Sequence, residues 1–199
     1  MALGKNKVKF GLKNVHWAKI TGYDEDEMPI YGEVKRLPGA VNLSLDANGD
    51  NENFYADDGV YYVLSNNSGY EGDLEIALVT TEFATEILGE KLDAKGVLVE
   101  STDAETAEFA LFFEFTGDKS KIRHVFHRCA ASRPNTESST IEDSKEVKTE
   151  TMSLTASSLV NGLVKAKSCE KTDETVYANW YKQPYMPDLT STVPASDGE

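Results

Sequence analysis

The chain has 199 residues, 40% hydrophobic and 27% charged, enough for one folded domain or at most two small ones, and too apolar for a disordered chain. Its formal net charge is −14, which repels phosphate backbones and excludes ordinary nucleic-acid binding. No apolar run approaches the ~20 residues that a membrane helix needs.

The start, MALGKNKVKFG, has no apolar signal core, so secretion is not expected. Val8–Phe10 and Val15–Ile20 read as strands. Gly22 to Pro38 reads as a long polar loop with a DEDE run, Asp24, Glu25, Asp26 and Glu27, two prolines and two glycines. A loop of that length is usually functional or mobile, the bland alternative being a disordered surface excursion. Residues 22–58 hold ten acids against Lys35 and Arg36. Acidic loops of this kind also serve simple solubility.

Val41, Leu43 and Leu45 then alternate with Asn42, Ser44 and Asp46, the period of a half-buried strand. Strands are predicted at 40–46, 52–56, 59–65 and 70–80. In the last, Glu71, Asp73 and Glu75 share one face, and Tyr70, Gly72, Leu74 and Ile76 the other. Three like charges on one strand face are destabilising unless that face meets water. A short helix fits Glu82–Leu88, with Thr81 as N-cap, Gly89 as C′ residue and Phe83 as its anchor on the sheet.

Further strands are predicted at Gly96–Glu100, Ala107–Thr116 and Lys121–Ser132, with a turn at Gly117-Asp118-Lys119-Ser120. In the middle one, Phe109, Leu111, Phe113 and Phe115 form a core face. Glu108, Ala110, Phe112 and Glu114 form a face open to water or to a partner subunit. Pro134–Ser144 reads as a linker, Val147–Ala156 and Leu163–Lys167 as strands. Asp173–Tyr181 reads as a helix capped by Thr172 and stopped by Pro184. A polar tail runs from 188 to 199, beyond a single domain of 1–187.

Few residues suggest chemistry. Asp46 to Asp57 partly mimics a calcium loop, but Asn51 stands where glycine is required, and strands flank it. A turn rich in Asn, Asp and Gly is the simpler reading. His124 and His127 are three apart on a strand and face opposite ways, and neither cysteine has a CxxC partner. Cys129 and Cys169 read as small buried hydrophobes rather than a disulfide. No nucleotide-binding glycine motif or GxSxG elbow occurs, so no enzyme, metal or cofactor is expected. Tyr61 and Tyr62 point apart and form no sugar platform. Trp180, Tyr181 and Tyr185 suit a core or a subunit contact.

Several long blocks occur in a known order: VKFGLKNVHWAKIT, PGAVNLSLD, FYADD, GYEGDLEIALV, EFALFFEFTGDKSKIRHVFHRCAASRP, EDSKEVKTETMSLTAS, GLVKAKS and VYANWYKQPYMP. Together they resemble the major tail protein, or tail tube protein, of long-tailed non-contractile phages and prophages of Gram-positive bacteria, over residues 7–187. The resemblance implies a mostly β fold, a two-sheet sandwich or barrel-like domain with one or two short helices, a long loop and extended terminal arms. It implies a structural virion protein, assembled in the bacterial cytoplasm. Hexameric rings would stack into a tube around a tape-measure protein, between initiator and terminator proteins, with DNA passing through the lumen unbound.

Within that picture, Glu71, Asp73 and Glu75 are expected to face the lumen. The 22–38 loop, through Asp24, Glu25, Asp26, Glu27, Tyr31, Lys35 and Arg36, is expected to touch the next ring. So are the two ends, Met1–Phe10 and Tyr185–Glu199. The alternative is a monomeric acidic β-sandwich that binds carbohydrate or calcium.

Overall fold

A computed structural model describes residues 11–49, 51–56, 59–116, 121–138 and 148–188, with backbone alone at 51–56 and 60–65. The expected strand at 8–10, the turn at 117–120, most of the linker and the tail from 189 lie outside the described residues. The chain is mostly β, as the alternating patterns require. In order it forms β1 (Leu12–Tyr23), β2 (Pro29–Tyr31), β3 (Lys35–Arg36), β4 (Ala40–Asn48), β5 (Asn51–Ala56), β6 (Gly59–Ser65), β7 (Gly69–Ile76) and α1 (Thr81–Glu86). Then follow β8 (Lys91–Leu92), β9 (Leu98–Val99), β10 (Phe109–Phe115), β11 (Arg123–Ala131), β12 (Glu150–Ala156), β13 (Lys165–Lys167) and α2 (Glu174–Asn179).

Nine strands make one antiparallel sheet along the path β2-β1-β10-β11-β12-β7-β4, with β3 on β1 and β13 on β11. The sheet curls on itself. Leu43 and Leu45 of terminal strand β4 line the same pocket as Phe113 and Phe115 of β10, although three strands separate β4 from β10 along the sheet. A large apolar cluster fills the concave side, with Trp17, Leu74, Ile76, Phe109, Leu111 and Met152 among its members. This is a sandwich-like core made by one bent sheet. β5–β6 and β8–β9 are separate two-stranded hairpins.

Phe83 anchors α1 as expected. It is fully buried, edge-on to Trp17 and to Phe109 at 5.5 Å each. The N-cap is Thr80 rather than Thr81, its hydroxyl accepting from the Phe83 N–H at 3.3 Å. Gly89 follows the helix at φ +78°, where a Cβ would lie 2.4 Å from the Glu105 carbonyl oxygen, so only glycine fits.

Five other expectations need correction. The 22–38 segment is not an open loop: β2 and β3 fold back and pair with β1, and Leu37 is buried. The strand at 70–80 stops at Ile76, after which Ala77 donates to the Gly39 carbonyl. α2 is capped by Asp173, whose carboxylate accepts from the Thr175 and Val176 N–H groups, while the Thr172 hydroxyl accepts from Cys169. The helix ends at Asn179, several residues before Pro184, so proline does not stop it. Cys129 is buried but Cys169 is exposed, and neither is in a disulfide.

The face of β10 that carries Ala110 and Phe112 is also not open. Both residues are fully buried in a second cluster with Ala18, Val125 and Trp180. The residues after α2 form the lid, with Trp180 donating its indole N–H to the His124 carbonyl at 3.5 Å. Glu114 lies on this covered face and is only 4% exposed, held by the Asn14 side-chain amide.

Candidate assembly surface

The acidic face is built from three rungs that run across β4, β7 and β12. Asn42, Glu75 and Thr151 form one, Ser44, Asp73 and Ser153 the next, and Asp46, Glu71 and Thr155 the third. Strand alternation places them opposite the core, and β7 confirms the period. Leu74 and Ile76 are fully buried, while Glu71 and Asp73 are exposed and Glu75 is half-buried.

Four carboxylates stand on these rungs and no lysine or arginine does. Three of the four are met by neutral donors instead. The Ser153 hydroxyl donates to Asp73 at 2.9 Å, the Thr149 hydroxyl to Glu75 at 2.6 Å, and the Asn48 amide to Glu71 at 3.4 Å. Hydroxyls fix the side chains in place without cancelling their charge. The face therefore keeps a concentrated negative field.

Beside it lies an open edge. β4 is nine residues long and pairs only with β7 among the described residues. Its other row of N–H and C=O groups is a template for another strand. β2 closes the opposite end of the sheet with three residues. The long edge is thus the one next to the acids.

The β1–β2 turn projects the other acids. Asp24 accepts from the N–H groups of Asp26 at 3.0 Å and Met28 at 2.8 Å, and Glu27 takes a φ of +58° to close the turn. Asp24 to Glu27 are all exposed at its tip. Tyr31 and Lys35, expected to reach outward, are engaged within the chain. The Tyr31 hydroxyl donates to the His127 carbonyl at 2.9 Å. Lys35 pairs with Glu86 at 2.5 Å and lies 5.6 Å from the Trp17 ring. That carboxylate raises the Lys35 pKa. Arg36 pairs with His16 through the backbone and keeps an exposed side chain.

The outward chemistry of this segment therefore rests on the acidic tip and Arg36. Tyr23 and Ile30 sit beside it with about half their surfaces exposed. The Tyr23 hydroxyl donates to Glu108, which also pairs with Arg128 at 2.8 Å. Tyr23 and Ile30 were not singled out in the sequence, because exposure depends on how tightly the hairpin folds back.

The histidines do not converge. His124 stacks on Phe113 at 5.0 Å. His127 is buried with neither ring nitrogen bonded, and burial lowers its pKa to about 4. Among the described residues no group of three or more His, Cys, Asp or Glu is placed to hold a metal. The loop at 46–57 lies partly outside the described residues. No described helix is long and apolar enough to cross a membrane.

No protein-family model matches the chain, and none of the curated proteins searched matches it.

Proposed function

We propose that this protein is a tail tube subunit, a structural virion protein that forms stacked hexameric rings through which DNA leaves. One observation carries the reading: the nine-residue open edge of β4 borders a sheet face with four carboxylates and no base. Such an edge aggregates unless another strand covers it. Strand addition by neighbouring copies would close the edge and bring the acidic faces side by side around an axis. A wall of that kind repels phosphate and lets a duplex slide.

The residues assigned to the lumen are Glu71, Asp73 and Glu75. Those assigned to the next ring are Asp24, Glu25, Asp26, Glu27 and Arg36. Tyr31 and Lys35 support that segment from inside. A tape-measure protein would occupy the lumen before ejection.

Electron microscopy of the purified protein, fresh and after concentration, tests the reading. Six-fold rings or hollow tubes are the expected result, with Glu71, Asp73 and Glu75 on the inner wall of a resolved map. Small particles whose size ignores concentration would overturn it in favour of a monomeric binding module. Tubes with the three acids on the outer surface would overturn the assignment of the lining alone.

A further inference from the structure

The seam of the curled sheet is closed at one end and open at the other. β3 pairs with β1 at His16 and Trp17, and the Leu37 N–H donates to the Val15 carbonyl at 2.8 Å. The chain then runs into β4, and residues 12–15 and 36–40 line one shared pocket of about 220 Å³. Farther along, β4 has no neighbour among the described residues on the side away from β7.

The open stretch is apolar within and acidic without. Leu43, Leu45, Tyr70, Phe113, Phe115 and Phe126 line an opening of about 260 Å³ between β4 and β10, and Leu43, Leu45 and Phe115 are only half-buried. Lys165, on the far wall of that opening, is engaged with the Tyr70 hydroxyl. The other face of the stretch carries Asp46 on β4 and, one strand on, Glu71, Asp73 and Glu75.

Residues 1–10 lie outside the described residues, but the point where they join the sheet is fixed. Leu12 pairs with Phe115, the last residue of β10, and the Thr116 N–H donates to the Gly11 carbonyl at 2.7 Å. A strand continued back from Leu12 therefore runs out of β10 to pair with, and its remaining neighbour is the bare stretch of β4. Leu12 packs against the core, so alternation carries Phe10 and Val8 toward the apolar opening and Lys9 and Lys7 to the acidic side. Residues 1–10 hold three lysines, Lys5, Lys7 and Lys9, and no acid. The rungs beside β4 hold four carboxylates and no base. The seam's own cations, Lys13 and Arg36, lie at its closed end, where Lys13 is opposite Glu114.

We propose that residues 7–10 add to the β4 edge of their own chain as a short strand, with Val8 and Phe10 filling the apolar opening, and cap that edge until a second copy displaces them. This rests on the tube reading above, in which the same edge receives a neighbour's strand. A cap within one chain does not depend on concentration, whereas strand addition by another copy does. Dilute copies stay capped, and assembly starts only above a threshold concentration.

A reversible lock tests it. In a Cys169→Ser background, Val8→Cys is combined with Leu43→Cys in one variant and with Leu45→Cys in another, and the dilute protein is oxidised. A disulfide within single chains is expected in at least one of the two. Electron microscopy should show no rings or tubes from the locked chain, and reductant should restore them. No disulfide in either variant would overturn the cap. A locked chain that assembles as the reduced one does would overturn its control of assembly. If neither the reduced nor the unaltered chain assembles at any concentration, the tube reading falls, and the disulfide alone decides the cap.

Amide exchange gives a second measurement. In the full chain at low concentration, Val8→Asp with Phe10→Asp should speed exchange of the β4 amides that β7 does not hold by at least about tenfold. Equal rates in the variant and the unaltered chain would overturn the proposal.

Discussion

β10 and β7 carry the same alternation and meet opposite fates. In FALFFEF every second residue is apolar, and so it is at Leu74 and Ile76 of GYEGDLEI. Both strands bury one face in the same core. Their second faces differ. That of β10 lies under Trp180 and the residues after α2; that of β7 bears Glu71, Asp73 and Glu75 and lies under none of the described elements. What stands beyond a face decides whether a polar residue on it is a liability or a surface. Glu114 on β10 needs Asn14 as a bonded partner, whereas Asp73 on β7 needs only Ser153 and water.

The comparison breaks most easily at Phe112. It is fully buried between the sheet and the aromatic lid. Phe112→Ala should lower stability by ~3–5 kcal/mol, because the lid cannot collapse into the cavity. Asp73→Ala, at the matching place on β7, should stay within ~0.5 kcal/mol. Denaturant unfolding of both variants decides it. Similar losses would mean that the β7 face is also covered.

His127 sharpens the contrast through pH. It is fully buried on β11, with no hydrogen-bond partner for either ring nitrogen. Burial depresses its pKa from 6.5 to about 4, so between those values the unfolded chain binds a proton that the folded chain refuses. Stability from this group is fully present above pH 6.5 and is lost as the pH falls toward 4. The loss amounts to roughly 3 kcal/mol at most. Melting curves at pH 7 and pH 5 should show a fall that His127→Met reduces. An unchanged pH dependence in the variant would place the titration elsewhere.

Lys35 gives a smaller effect. Its pair with Glu86 is partly exposed, with side-chain accessibilities of 24% and 37%. Lys35→Ala should cost ~1 kcal/mol or less, part of it from lost packing over Trp17. A loss several times larger, by the same unfolding measurement, would mean that β3 is held on β1 chiefly through this side chain.

How much was legible in the sequence follows from the same physics. Strand alternation is local, so the faces of β7 and β10 and the anchor Phe83 could be read directly. Coverage is not local. Residues 180–181 cover β10 from more than sixty positions away, and no period in either segment announces it. The hints were Phe112 itself, a large apolar residue on a face expected to be open, and the aromatic run at Trp180 and Tyr181, suited to a core or a subunit contact. The 22–38 segment misled for a related reason. Its prolines, glycines and acids are turn-forming, yet Ile20 and Tyr31 still find each other across a tight Asp24 turn. For the assembly surface, the acids on β7 were legible, but the matching hydroxyls of β12 needed the register. So did the open edge of β4, because pairing partners are settled by the whole sheet.

The smallest expected effect bears most on function. Replacing Glu71, Asp73 and Glu75 together with Gln, Asn and Gln keeps acceptors for Asn48, Ser153 and Thr149. It removes three neighbouring like charges, so stability should hold or rise slightly, within about 1 kcal/mol in total. Fold and assembly would then be intact while the field on the face is gone. If the face lines a conduit, tubes of the neutral variant should retain added duplex DNA at low salt that wild-type tubes exclude, and raised salt should shrink the difference. Equal exclusion by both would mean that the negative charge on these rungs serves solubility and not passage. A large loss of stability would mean that the hydroxyl–carboxylate rungs hold β4, β7 and β12 together.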